Sequence, residues 1–186
     1  MKKDFQAPLE IRQQIWKELG RASQDRHHAW RTPVLATAGQ DGAVNARTVV
    51  LRGVDAVRQT LQIYTDRRSS KLCELVKEPN AMFVFWSARL HWQLRVRVSI
   101  ANLTSGSEVE AHWQQVQQTA AAGDYLGPLA PGSPRPEAHS PCRLPFHTNH
   151  FALLIAQVLE IDWLELGREG HRRARLSEDR WQWLIP

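Results

Sequence analysis

The alternation of apolar and polar positions predicts a helix at the start of the chain. Within residues 7–21, apolar side chains recur at Ile11, Ile15 and Leu19, which places them on one stripe of a helix. The residues that follow are polar and contain no such period. We therefore predict that residues 1–30 form an N-terminal helix and a connector.

Beyond the connector, the pattern changes to that of strands. The turn residues Gly39–Gly42 separate two apolar runs and predict a β-hairpin. In residues 91–103 every second residue is apolar, as in a strand with one face in the core. Short helices are predicted after Ser69 or Ser70, either of which can cap the first of them, and at residues 108–118. The other strand-like runs are 33–38, 44–52, 61–65, 81–86, 151–161 and 163–166.

The order of these elements indicates the fold class. Hairpins and short crossings join the strands, and the chain lacks the regular alternation of strands and helices that builds a parallel sheet. We predict a mainly β (α+β) fold in which six to seven antiparallel strands close into a barrel with peripheral helices. Residues 1–186 suit a single domain, and the segment 120–148, rich in Pro, Gly and Ala, is predicted to be a long irregular loop.

Composition leaves several classes of partner open. The net charge of +5 suits a phosphorylated small molecule, a nucleic acid or an anionic surface. The two cysteines show no CxxC spacing and suggest no disulfide framework. No stretch approaches the ~18 apolar residues of a membrane-spanning helix, and the first residues lack the apolar run of a signal peptide. We expect a cytoplasmic protein without a membrane partner.

Motifs for metal or nucleophilic chemistry are missing. His147 and His150 lie three residues apart, but no HExxH motif, Cys–His pairing or carboxylate cluster accompanies them. The chain also lacks GxSxG, GxGxxG and Walker motifs. We therefore expect no metal site.

A phosphate-binding site has better support. Arg47 lies inside a predicted strand, and Lys71 lies in the first turn of the helix that follows Ser69. Helix N-termini attract phosphate because they present free N–H donors and the positive end of the helix dipole. Thr65, Ser69 and Ser70 add hydroxyl groups. On their own these residues fit surface salt bridges better than a phosphate site.

Five segments in order, and a sixth in reduced form, resemble one known family. They match the family's opening strand and turn, its arginine-led strand, its Tyr-Thr…Ser-Arg-Lys segment, its fourth strand, its Arg-Gln-Val-Arg-Val strand and its closing motif. The chain resembles a divergent branch of the pyridoxamine 5'-phosphate oxidase-like proteins, which bind flavin mononucleotide (FMN). The matching segments are 36–42, 47–52, 64–71, 79–86, 92–96, and the pair 161–163 and 171–173.

The resemblance implies a split β-barrel homodimer with FMN at the subunit interface. Arg47 and Lys71 would hold the phosphate, and Gln93, whose amide pairs a donor with an acceptor, would meet the polar edge of the flavin ring. Arg173 would come from the partner subunit. The full set of implied FMN contacts is Arg47, Thr48, Val49, Val50, Leu51, Tyr64, Thr65, Ser70, Lys71, Gln93 and Arg173.

The resemblance also implies an FMN-dependent oxidoreductase acting on pyridoxamine or pyridoxine 5'-phosphate. The substrate region departs from the family: Ser70 replaces an arginine, Arg52 replaces a substrate-contacting lysine, and the loop that grips the substrate phosphate is absent, with His112 in that region. Candidate catalytic residues are His171, Arg173 and Arg52. The alternatives are a flavin reductase or carrier of the same fold and, more remotely, a basic nucleic-acid-binding barrel.

Overall fold

A computed structural model describes residues 8–134, 149–177 and 180–186 of the chain. These ranges contain three α-helices and nine strands. The helices are α1 (Pro8–Gln24), α2 (Ser70–Lys77) and α3 (Ser107–Val116); the strands are β1 (Val34–Ala38), β2 (Val44–Thr48), β3 (Leu51–Asp55), β4 (Thr60–Asp66), β5 (Asn80–Ser87), β6 (Trp92–Leu103), β7 (Phe151–Glu165), β8 (Arg172–Leu176) and β9 (Trp181–Leu184).

The strands form one antiparallel sheet in the order β2-β1-β5-β6-β7-β4-β3, with β8 on β7 and β9 on β8. The long strand β7 pairs with β6 along most of its length. Its first half also pairs with β4 and its second half with β8, so the sheet divides at β7. The predicted mainly β class and antiparallel architecture are confirmed.

The strand boundaries differ from the prediction at two places. The run 44–52 is two strands, because β2 pairs with β1 while β3 pairs with β4 at the other end of the sheet order. The runs 151–161 and 163–166 form the single strand β7. With two further strands in the C-terminal segment, the described residues contain nine strands where we predicted six to seven.

The main core lies between α1 and the sheet. Ile11, Ile15 and Leu19 are fully buried, as the apolar stripe predicts, although α1 extends three residues beyond the predicted end at residue 21. In β6 the apolar residues are buried alternately, which confirms the prediction for 91–103. Trp92 and Trp163 meet at right angles, with ring centroids 5.3 Å apart, at the centre of this core.

A second apolar cluster lies where α3 packs on β7. Trp113 of α3, Tyr125 and Phe151 meet through their ring edges or tilted faces, with centroids 5.2 to 6.2 Å apart. Residues 120–125 form a short 3-10 helix whose last residue, Tyr125, is buried in this cluster. The prediction that an irregular loop begins at residue 120 is therefore wrong. The rest of the predicted loop is only partly described, because residues 135–148 lie outside the described ranges.

No helix in the described ranges is both long enough and apolar enough to cross a membrane.

Candidate functional site

Lys71 lies in the first turn of α2, where the chain leaves the end of β4. Its ammonium group donates to Thr65 Oγ1 at 2.9 Å and to Ser69 Oγ at 2.5 Å, and both hydroxyl-bearing residues are buried. Within the described ranges Lys71 forms no ion pair with a carboxylate. Burial and, next, the charge of Arg47 lower the pKa of Lys71. A partly buried cation whose direct partners are neutral hydroxyl groups is a ready site for an anion.

Arg47 approaches α2 from β2. It pairs with Leu35 across the strands, so its side chain lies on the face that α2 covers. Its guanidinium donates from Nη2 to Glu74 Oε2 at 3.0 Å and from Nη1 to the hydroxyl of Thr37. The buried Glu74 carboxylate also accepts from Thr37 Oγ1 at 2.5 Å and from Asn45 Nδ2 at 2.9 Å. These contacts fix the guanidinium in one orientation.

Glu74 is a site residue that our sequence reasoning missed. Burial alone would raise the pKa of its carboxyl group, but the hydrogen bonds from Thr37 and Arg47 lower the pKa below its usual value. Glu74 therefore stays ionised and holds Arg47 close to Lys71. Its position three residues after Lys71, on the same side of α2, is the one signal in the sequence that could have found it.

The structure thus brings together three of the predicted phosphate contacts, Arg47, Thr65 and Lys71. The hydroxyl that meets Lys71 at the helix start belongs to Ser69, whereas the side chain of Ser70 is exposed. We call Arg47, Thr65, Ser69 and Lys71 the cation pocket. Two positive charges, two hydroxyl groups and a helix N-terminus together suit a phosphate.

The segment 48–51 carries the chain from β2 to β3. The Val49 amide donates to the Pro33 carbonyl at 3.0 Å, and Leu51 is fully buried in the core. Thr48 is exposed, while Val49 and Val50 are partly exposed. The segment is therefore anchored at both ends.

Tyr64 links β4 to α3. Its hydroxyl lies 2.9 Å from His112 Nδ1, and the Arg52 guanidinium lies 5.5 Å from the centre of its ring. Burial raises the pKa of Tyr64, although Arg52 and Arg31 act in the opposite direction. Burial and then the charge of Arg52 lower the pKa of Arg31. Arg52 forms no ion pair in the part of the chain that the structure describes, so this group is also positively charged and open to an anion.

Gln93 and Arg173 lie elsewhere on the sheet. Both pair with Leu164 across the strands, so the three residues form one row on the outer face of β6, β7 and β8. Thr65 of the cation pocket instead pairs with Ala152, twelve residues earlier on β7. At a rise of about 3.3 Å per residue, that is a path of roughly 40 Å along the strand. Gln93 and Arg173 therefore lie beside the opposite end of β7 from Thr65.

The remaining catalytic candidates have different surroundings. Asp162 holds Arg173 through Nε at 2.9 Å and Nη2 at 2.7 Å, and the Asp162 carboxylate also pairs with Arg95 at 2.8 Å. Hydrogen bonds and charge from Asp162 raise the pKa of Arg173. The side chain of His171 is exposed. Of the three candidates, Arg52 lies closest in the sheet to Thr65, because β3 pairs with β4.

No group of three or more His, Cys, Asp or Glu side chains that could hold a metal ion occurs in the described ranges. His150, one of the two histidines considered for such a site, packs near Asp66 and Arg68. The other, His147, lies outside the described residues.

Comparison with known proteins identifies the family. A family model described as the FMN-binding domain of pyridoxamine 5'-phosphate oxidase matches residues 13–103. The chain is 32% identical over 163 residues to a pyridoxine/pyridoxamine 5'-phosphate oxidase of Thermobifida fusca, a match that covers 75% of this chain and 72% of the other. The chain belongs to the pyridoxamine 5'-phosphate oxidase family.

Other members of the pyridoxamine 5'-phosphate oxidase family agree with this assignment. An Arabidopsis thaliana protein named pyridoxine/pyridoxamine 5'-phosphate oxidase 2 is 27% identical over 164 residues, or 81% of this chain and 83% of the other. Several further curated relatives match over only 32% to 42% of their own length.

A solved structure confirms the split-barrel fold. A pyridoxamine 5'-phosphate oxidase-related, FMN-binding protein from Nostoc punctiforme superimposes with a TM-score of 0.74 at 25% identity, covering 97% of this chain and 98% of the other. FMN is the cofactor of the domain that this family shares.

The residues of the cation pocket fit the phosphate of FMN. The phosphate group needs fixed cations and hydrogen-bond donors, and the Lys71 ammonium has only neutral hydroxyl partners, Thr65 and Ser69. Glu74 keeps the Arg47 guanidinium oriented beside it. These residues would hold the phosphate end of the cofactor.

Proposed function

We propose that the protein is an FMN-dependent oxidoreductase that binds the FMN phosphate between Arg47 and Lys71. One observation carries the proposal: a partly buried lysine lies beside an arginine and has no carboxylate partner in the described part of the chain. Burial and the charge of Arg47 lower the pKa of Lys71 more than Asp66 and Glu74 raise it. A bound phosphate would stabilise the ammonium form. Thr65 and Ser69 complete the contact as hydroxyl groups.

We also propose that the flavin site is shared between two subunits. Gln93 and Arg173 lie in one row of the outer face, far along β7 from Lys71. A homodimer that packs this row against the cation pocket of a second copy would let Gln93 meet the polar edge of the ring and Arg173 supply a positive charge. The Asp162 carboxylate holds Arg173 ready in that position.

The bound flavin supplies a ring that accepts a hydride and is reoxidised by dioxygen. The protein's part is to orient the substrate against that ring. Arg52 is the residue best placed to hold the substrate's anionic group, since it lies beside Tyr64 without a counterion in the described ranges. The substrate that we propose is pyridoxamine or pyridoxine 5'-phosphate, which carries such a group.

An assay of the FMN-loaded protein tests this proposal. With pyridoxine 5'-phosphate and dioxygen, we expect formation of pyridoxal 5'-phosphate, which is measured by its absorbance. The rate should fall clearly in Arg52→Ala because the substrate phosphate loses a charged contact. Arg58→Ala is the matched control, because it removes an arginine whose side chain is 83% exposed in the turn between β3 and β4. Binding of FMN without any turnover of either B6 phosphate would contradict the substrate assignment and leave FMN binding intact.

A second candidate function has one observation in its favour. The Tyr64 hydroxyl is engaged by His112 Nδ1 in the region where the family's substrate-gripping loop is absent. Such a rebuilt substrate region suits a flavin reductase or carrier that uses FMN without oxidising B6 compounds. Reduction of the bound flavin by a nicotinamide donor, without B6 oxidation, would favour this alternative.

Ion pairing weakens the case for a nucleic-acid-binding barrel. The basic cluster near the C-terminus includes three arginines that each pair with a carboxylate across the strands. The pairs are Arg172 with Glu165, Arg173 with Asp162 and Arg175 with Glu160. Each carboxylate lowers the net positive charge of the cluster, which weakens its long-range attraction to the phosphates of a nucleic acid.

FMN affinity should fall as pH rises through the alkaline range. The pKa of Lys71 is lowered in the free protein, so the ammonium form that binds phosphate is lost below the usual lysine pKa. Phosphate monoesters stay dianionic above about pH 6, so the ligand charge does not change there. We expect FMN titrations from about pH 7 to about pH 10 to show progressive weakening.

Riboflavin and a lysine variant provide the controls for this pH profile. Riboflavin carries the same ring without the phosphate, so its binding reports any titration of the ring itself. In the parent, FMN affinity should fall more steeply with pH than riboflavin affinity does. In Lys71→Met, the two affinities should change with pH to the same extent. An equally steep profile in Lys71→Met would show that another group is responsible.

A further inference from the structure

Trp86 is an exposed aromatic residue in the middle of the sheet. It lies on β5, which runs between β1 and β6, and 45% of its surface is exposed. Its neighbours Phe85 and Ser87 are buried on the core face, so the Trp86 side chain stands on the outer face. An exposed indole offers a flat apolar face and one N–H donor to any molecule that packs on this side of the sheet.

The surroundings of Trp86 differ from those of the other tryptophans. Trp30, Trp92 and Trp163 are fully buried or nearly so in the core. Trp183 is 48% exposed, but its ring contacts those of Trp163 and Trp181. In the described residues Trp86 has no such ring contact. Its exposed face is therefore available to another molecule.

The strand register places Trp86 next to Gln93. The two residues are directly opposite each other on β5 and β6. Residues in that relation share a face of the sheet, with Cβ atoms about 4.5 to 5.5 Å apart. The row continues across the sheet through Leu164 to Arg173. An indole, an amide, an apolar side chain and a guanidinium thus lie side by side on one outer face.

This row matches the chemistry of a flat aromatic ring with one polar edge. The amide of Gln93 can both donate and accept, the guanidinium of Arg173 favours negative charge, and the indole of Trp86 offers a flat apolar surface. We propose that Trp86 of one subunit contacts the flavin ring bound in the cation pocket of its partner. The inference rests on the proposed function, since it needs FMN to lie between two subunits with Gln93 at its ring.

Fluorescence of the bound flavin tests this contact. An indole in van der Waals contact with an excited flavin quenches it by electron transfer, and phenylalanine does not donate an electron in this way. We expect the bound flavin of Trp86→Phe to fluoresce several-fold more brightly than that of the parent. Affinity for FMN and for riboflavin should fall by the same factor, about twofold to tenfold, because the contact involves the ring and not the phosphate.

Trp183→Phe is the matched control, because Trp183 is exposed to a similar extent and lies at the edge of the sheet. It should leave both flavin fluorescence and affinity unchanged. If Arg47→Ala and Lys71→Ala weaken FMN binding while Trp86→Phe changes neither fluorescence nor affinity, the inference fails and the proposed function stands. A parent protein that does not bind FMN overturns both.

Discussion

Arg47→Ala and Lys71→Ala should each weaken FMN binding by about tenfold to a hundredfold. Hydrogen bonds to charged groups contribute about 1.5 to 3 kcal/mol each, which corresponds to that range of affinity. Both residues are held in place before the ligand arrives, Arg47 by Glu74 and Thr37, and Lys71 by Thr65 and Ser69. Binding FMN therefore costs little side-chain entropy at these two residues. Each substitution should then remove the full contribution of its contact to FMN affinity.

The measurement is a titration of FMN followed by flavin fluorescence, repeated with riboflavin. Because riboflavin lacks the phosphate, its affinity should change little in either variant. Lys77→Ala controls for charge on the same helix, since Lys77 is exposed in the last turn and donates to the Gln40 carbonyl. Unchanged FMN affinity in both Arg47→Ala and Lys71→Ala would refute the assignment of the cation pocket.

Trp163→Ala should have the largest effect on stability, a loss of about 3 to 5 kcal/mol in the free energy of unfolding. The Trp163 side chain is fully buried, and its ring packs at right angles on that of Trp92, with centroids 5.3 Å apart. Removing the indole leaves a cavity on the core face of β6 and β7 that the surrounding side chains only partly fill. For a chain of this length, each kcal/mol lowers the melting temperature by about 2 to 4 °C.

Thermal and urea denaturation measure this loss. Trp163→Phe keeps an aromatic ring in the core and should lose clearly less stability than Trp163→Ala. Trp183→Ala removes the same indole from a half-exposed position and should also have a smaller effect. Equal losses for Trp163→Ala and Trp183→Ala would contradict the central position of Trp163 in the core.

Local pattern was sufficient for much of the fold and for part of the site. The period of two in 91–103 predicted β6 with its buried face, and the period of four in 7–21 predicted α1. Side chains repeat along a strand or helix with the period of its backbone, so burial is visible in a single segment. Arg47 and Lys71 were identifiable as candidates for an anion site because a strand and a helix start present side chains rigidly.

Strand pairing could not be read from local pattern. The run 44–52 is continuously rich in strand-forming residues, yet it is divided at 49–50 because its two halves pair with strands at opposite ends of the sheet order. The spacing of apolar residues in a segment indicates which face of the sheet each residue lies on. It does not indicate which strand pairs with that segment. The number of strands and the single long strand β7 were therefore decided by the tertiary structure.

The sequence by itself determined the family and the antiparallel barrel, and it named the candidate residues for a phosphate site. The tertiary structure decided how those residues are arranged. Glu74 contacts Arg47, which lies 27 residues earlier in the chain, and Gln93 shares a row with Arg173 because both pair with Leu164. Contacts between residues far apart in the chain arise from how the strands pair and how α2 packs on the sheet. That packing depends on many side chains at once, and no single segment encodes it.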